Sequence, residues 1–225
     1  MKKGLLIIAV AMLAGFTANA QLSIGAGYQG QTRTMQVNSN SPVLAIDAES
    51  NWYNGFYAGF NYNIHLVAGL NIAPGLHFTY NAYRNEENIL GVTVKEKEVE
   101  MGIKLPVLVN YRFNFRDGKF ILAPYAGLTF GFAINDKITV DAGGAETSTD
   151  FFDKDNWDGV NAPSRFDMYA SVGLMLMFNN HFRVNVGYDL GMLNRMSSLY
   201  TETLGVTYDP QMTMGNLNIG IGYEF

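Results

Sequence analysis

From Gln21 to Phe225 apolar side chains recur at every second position, segment after segment. A period of two marks extended chain, because successive side chains of a strand point to opposite faces. Across residues 99–111 one face carries Val99, Met101, Ile103, Leu105, Val107, Val109 and Tyr111. The other carries Glu100, Gly102, Lys104, Pro106, Leu108 and Asn110. The same alternation runs through 66–82, 120–134, 166–178, 182–192 and 217–225, and more weakly through 22–35 and 53–64. No apolar run reaches the roughly 20 residues that a membrane-crossing helix needs.

The connections alternate in length. Those at 63–65, 112–119 and 179–181 are short; those at 36–52, 84–95, 136–164 and 195–210 are long. Short turns at one end and long loops at the other are the layout of an outer-membrane barrel, and each strand is long enough for a tilted crossing of about 9–11 residues. Lipid offers no water to a free sheet edge, so the sheet must close on itself. The expected fold is all-β: an eight-stranded antiparallel up-and-down transmembrane β-barrel.

A soluble barrel would share the alternation with its apolar face inside. Composition decides against it. Charged residues make up 16% of the chain, below the roughly 25% of soluble domains, and the polar face is rich in Gly, Asn, Ser and Thr. Large aromatics recur at the strand ends of the apolar face: Tyr62, Tyr111, Phe120, Phe178, Phe182 and Tyr223 at one end, Phe56, Tyr80, Phe132 and Phe166 at the other. They read as two interfacial girdles. Net charge is −5, which leaves no basic footprint for nucleic acid, and the absence of Cys excludes disulfides and thiolate metal sites.

Met1-Lys2-Lys3, the apolar stretch 5–14 and Ala18-Asn19-Ala20 form the three parts of an export signal. Residues 1–20 are therefore expected to be cleaved, leaving 21–225 as the barrel domain with no appended periplasmic domain.

Ile103-Lys104-Leu105-Pro106-Val107-Leu108-Val109-Asn110-Tyr111-Arg112-Phe113, followed by Ala123-Pro124-Tyr125-Ala126-Gly127-Leu128, resembles a strand pair of PorT-type, OmpA/OmpX-like outer-membrane barrels. The ending Gly220-Ile221-Gly222-Tyr223-Glu224-Phe225 is similar to the signal read by the outer-membrane assembly machinery, carried by Tyr223 and Phe225. The resemblance implies fold and location, in contact with outer-membrane lipid; members differ in activity, so it implies no particular one.

Eight strands enclose a bore that side chains fill. Lys104, Glu100, Arg183, Glu224, Asp189, Asp167 and His77 face inward, with Arg33, Glu98 and Arg165. Buried charges must pair. Arg183 and Glu224 are expected to meet across neighbouring strands, and Lys104 to reach Glu100 or Asp189. His77, two residues from Thr79 on one face, is the one place a lipid-modifying enzyme could be sought, but no carboxylate stands by to orient the ring. The acidic run 153–159 fails the calcium-loop pattern, since Trp157 displaces the third ligand and position twelve is Ser164. No metal or cofactor is expected. Trp52, Phe151, Phe152 and Trp157 are expected to be exposed on outer loops, as candidates for contact with an extracellular ligand or host surface. The sequence thus reads as a non-enzymatic, envelope-structural or surface-binding outer-membrane protein; a narrow solute channel and a lipid-modifying enzyme are the alternatives.

Overall fold

The computed structural model describes residues 20–89, 91–115, 119–157, 162–203 and 205–225. The expected export signal lies, but for Ala20, outside the described residues. Among them, eight long strands run antiparallel: β1 (Ala20–Asn38), β2 (Ile46–Val67), β3 (Leu70–Ile89), β4 (Val92–Tyr111), β5 (Phe120–Ala142), β6 (Phe166–Phe178), β7 (Phe182–Gly191) and β8 (Val206–Glu224). Each pairs with the next, and β1 pairs back onto β8 from Ser23↔Glu224 to Asn38↔Asp209, closing the ring. No helix among the described residues is long and apolar enough to cross a membrane. The crossing is made by strands, whose ladders satisfy one another around the closed ring.

The two faces fall as the alternation requires. Val107, Leu128, Val172, Leu174 and Val186 lie exposed on the outside, whereas Lys104 and Asp189 are only 6% and 8% exposed. The apolar face is therefore the one offered to acyl chains. The inner face is rich in glycine because the bore is narrow. Tyr57 lies over Gly220, and Tyr125 over Gly173 and Gly187; a methyl group at any of these would overlap the tyrosine.

At the end bearing both termini the turns are tight. Ala68 and Gly69 have φ of 46° and 87° and join β2 to β3 in a two-residue hairpin, a turn whose twist matches the flanking strands. Asn179 and Asn180 take positive φ between β6 and β7. A short strand, Phe113–Phe115, extends β4 beside β5.

At the other end the strands run on beyond the outer girdle, which corrects the expected long loops. Residues 84–89 and 92–95 are β-hairpin, with β3 and β4 paired as far as Ile89↔Val92. Residues 136–150 are also mostly hairpin: β5 continues to Ala142, turns at Gly143-Gly144 (φ 60° and 93°) and returns as the short strand Ala145–Asp150. The alternation fades there because both faces of the sheet are in water. Pairing of β2 with β3 stops at Asn54↔Ala82. Two separate sheet extensions result, one from the outer parts of β8, β1 and β2, the other from β3, β4, β5 and Ala145–Asp150. β6 and β7 end low, and the segments beyond them fold back over the mouth.

Candidate functional site

The lumen is layered. At the turn end Arg112 Nη2 pairs with Glu224 at 2.9 Å, and Asn63 Nδ2 donates to Glu224 at 2.8 Å. Arg183 does not take Glu224, contrary to the expected cross-strand pair. Arg183 stands opposite Gly222 in the ladder, one inward-facing step above Glu224, and reaches across the bore. Its Nη1 donates to Ser23 Oγ at 2.6 Å and its Nη2 to Asn61 Oδ1 at 3.5 Å. Arg112, which begins a turn and was not counted as a lumen residue, holds Glu224 instead.

Above this lies a cavity of about 80 Å³, lined by Asn61, His77, Tyr57, Asn185, Asn218 and Arg183 among others. That volume has room for a few waters. His77 Nε2 meets Asn61 Oδ1 at 3.0 Å, and the ring centroid lies 5.5 Å from that of Tyr57. One side of the lumen is apolar, where Ile121, Ala123, Met175 and Met177 cluster, and Met175 also lines the cavity. The sequence there is apolar on both faces, so alternation alone could not set these residues apart.

At mid-height Lys104 Nζ pairs with Asp189 Oδ2 at 3.2 Å and lies 4.8 Å from the centre of the Tyr169 ring. Asp189 also accepts from Ser171 Oγ (2.8 Å) and Asn218 Nδ2 (2.9 Å). Of the two partners expected for Lys104, the structure selects Asp189. Glu100 belongs to the layer above.

That layer seals the mouth. Arg33, 2% exposed, bonds Glu98, Glu100 (3.2 Å) and Asp136 (3.0 Å) together. Arg195 Nη1 binds Glu100 Oε2 at 2.9 Å, and Tyr53 Oη donates to Glu98 Oε2 at 2.6 Å. Asp167 is buried beside this layer, with Oδ1 accepting from the Met168 amide at 2.7 Å. Phe151, Phe152, Met196, Leu199, Met212 and Met214 form an apolar cap over the network, with Trp157 packed against it. Phe151 and Phe152, expected to be exposed, are 7% and 5% exposed. Their chain turns inward straight after the Ala145–Asp150 strand, and an apolar pair beside a closed mouth gains more by burial than by exposure. Trp157 donates its Nε1–H to the Phe151 carbonyl at 2.9 Å. Arg165, expected inside, is half-exposed on the rim, with its guanidinium 4.5 Å from the centre of the Phe152 ring.

Tyr53, Asp136 and Arg195 complete this layer and were not foreseen. Asp136 shows why. Strict alternation from Thr129 would point it outward, but the register shifts between Met101/Gly102 and Asn135/Ala133, leaving Ile134 as an extra residue in β5. A bulge of this kind flips the phase of everything beyond it. Asp136 thereby turns inward opposite Glu100, where Arg33 neutralises it. Arg195 comes from an irregular segment that alternation does not describe.

Trp52 lies in β2, not in a loop. It is 45% exposed on the outer face, covers Gly30, and donates its indole N–H to Tyr28 Oη at 3.2 Å. At the opposite end Tyr223 packs edge-on to Phe225 (5.0 Å) and stacks on His181 (5.2 Å). Asp153 accepts from the Asp155 amide at 3.1 Å, so it shapes its own turn, and the described residues contain no cluster of three His, Cys, Asp or Glu that could hold a metal.

Outside the membrane Glu96 lies on the β3–β4 hairpin. Partial burial, with Glu98, Glu87 and Glu49 nearby, pushes its carboxyl above the usual range.

The family profile of the outer membrane protein beta-barrel domain matches residues 13–196. The chain belongs to that family. This outer-membrane barrel has no match among curated proteins. Solved structures with a similar barrel include Ail, the attachment invasion locus protein of Yersinia pestis, in complex with the heparin analogue sucrose octasulfate. It is 15% identical, with 92% of this chain and 99% of that one covered and a TM-score of 0.42. OprG from Pseudomonas aeruginosa is 12% identical, with coverages of 92% and 96% and a TM-score of 0.38. The outer membrane enzyme PagL is 8% identical, with coverages of 87% and 98% and a TM-score of 0.34. The protein is an outer-membrane β-barrel, located in the outer membrane.

Proposed function

We propose that this barrel acts without catalysis, as a membrane-held platform that binds an extracellular partner through its two sheet extensions. One observation carries the reading: the mouth is closed by the Arg33 network beneath the Phe151–Phe152 cap, while paired strands continue outward well past the girdle. A lumen sealed by buried ion pairs suits neither steady solute flux nor substrate entry. His77 and Thr79 lie among lumen side chains, and the His77 ring is bonded to an amide and not to a carboxylate, which is poor provision for a base. The extensions carry more exposed acid than base: Asp47, Glu49, Glu86, Glu87 and Glu146, with Glu202 on the short strand Thr201–Thr203 beside β8, against Arg84, Lys95, Lys97 and Lys137. Like charge repels polyanions, so the partner is a cationic surface, such as a basic protein segment. Tyr223 and Phe225, outward at the terminal strand, serve as the assembly signal.

The test uses cells displaying the intact protein. Replacing 85–96 by a two-residue turn should abolish capture of a lysine-rich peptide or basic host protein while the barrel still assembles, and raising salt should weaken wild-type capture. Undiminished capture would overturn the proposal. A narrow channel is the alternative, and planar-bilayer recordings separate the two: the sealed mouth predicts silence.

A further inference from the structure

Among the described residues, each charged side chain inside the lumen meets an opposite charge within 4 Å, except Asp167 and Arg183. Asp167 accepts a backbone amide. Arg183 has only neutral partners, Ser23 Oγ and Asn61 Oδ1, and its Nε is shielded with no acceptor at all. Among the described residues the two carboxylates of the lower lumen have partners of their own, Asp189 in Lys104, Ser171 and Asn218, Glu224 in Arg112 and Asn63. Among the described residues the lower lumen therefore carries one cation, Arg183, with no carboxylate in contact.

Arg183 is only partly buried, but a guanidinium facing a narrow lumen with no carboxylate in contact still favours an anion beside it. The surroundings are built around this one. The side chain lies against Gly222 and Gly25, where a Cβ would press on Nε and Nη2, so the ladder leaves it a flat seat. It lines the cavity of about 80 Å³ together with His77, Tyr57, Tyr125 and Asn185; the Lys104–Asp189 pair, which is neutral as a unit, lines the same cavity. Asn185 and Tyr57 are bonded to each other, which fixes the far wall.

We propose that this cavity is a binding site for a small monovalent inorganic anion of halide size, held by the Arg183 guanidinium. The anion supplies the missing charge and an acceptor for Arg183. Carboxylates crowd the mouth layer, so anions reach the cavity from the turn end, past the Arg112–Glu224 pair.

The probe is bromide, on the full barrel in detergent. Crystals of the wild type in bromide, measured at the bromine absorption edge, should show an anomalous peak within hydrogen-bond distance of the Arg183 guanidinium. No peak there, or peaks only at surface lysines (an adventitious ion only), would overturn the proposal. In solution, the unfolding temperature of the wild type should be higher in sodium chloride than in sodium gluconate of equal ionic strength, and R183Q should lose that difference. Should R183Q fail to assemble, the bromide map and the wild-type chloride–gluconate comparison decide without it. An equal unfolding temperature in both salts contradicts a filled site.

Discussion

The two halves of the lumen are built on different plans. The outer half is tied together by charge: Arg33 and Arg195 bind three carboxylates directly, under an apolar lid. The half nearer the turns is amide-rich, has an apolar wall, and keeps a cavity above one ion pair. The contrast teaches where closure comes from. The sheet alone gives a narrow tube, and a narrow tube still leaves room. The mouth is shut by side chains that come from beyond regular alternation: Arg195 and the Phe151–Phe152 pair from returning segments, and Asp136 from past a bulge. The partner-binding surface then has to lie outside the barrel.

This comparison can be broken from either half. The largest effect is expected for R33M, which leaves Glu98 and Asp136 without a counter-charge and Glu100 with Arg195 alone. Breaking a buried network in this way costs about 3–5 kcal/mol, read as a lower midpoint of the folded band on unboiled gels. R195A should do less to stability and more to the seal. It leaves Glu100 to Arg33 and Gln31 and loosens the segment carrying Leu199, so protease should cut near residues 192–200, and bilayer current should appear where the wild type is silent. At the turn end R112A should cost less than R33M, because Arg112 is partly solvated and Asn63 still holds Glu224. An R112A effect equal to that of R33M would erase the distinction between the halves.

The smallest expected effect lies outside the membrane. Glu96 has its carboxyl raised in the folded hairpin, so the folded state binds the proton more tightly than the unfolded chain does. Stability is then highest at low pH and falls as pH rises through the folded value. E96Q should slow proteolysis of the β3–β4 hairpin at neutral pH, and the gap from wild type should narrow as pH falls toward about 4, the ordinary range of a glutamate.

What the sequence revealed follows the same division. Where one face of a strand meets lipid and the other a polar lumen, apolar and polar residues alternate, and this placed Lys104, Glu100, Asp189, Asp167, His77 and Glu224 inside. It failed where the solvent is the same on both sides. Residues 84–95 look like a loop because a strand with water on both faces has no reason to alternate. It failed again at Ile134, where one added residue reverses the phase and hides Asp136. The Arg183–Glu224 expectation failed for a different reason. Facing inward on neighbouring strands does not ensure contact, since a long arginine can cross the bore while another, Arg112, approaches from the turn.

The account rests on which face of each strand meets lipid, and the chain has no native Cys to interfere with labelling. Single cysteines placed at Leu128, Thr129, Leu174 and Ser171 and carrying nitroxides would report it in reconstituted vesicles. The labels at 128 and 174 should collide readily with dissolved oxygen, which concentrates among acyl chains, while those at 129 and 171 stay immobile and shielded. The reverse pattern, with 129 and 171 open to oxygen and 128 and 174 packed away, would contradict the structure and everything built on it.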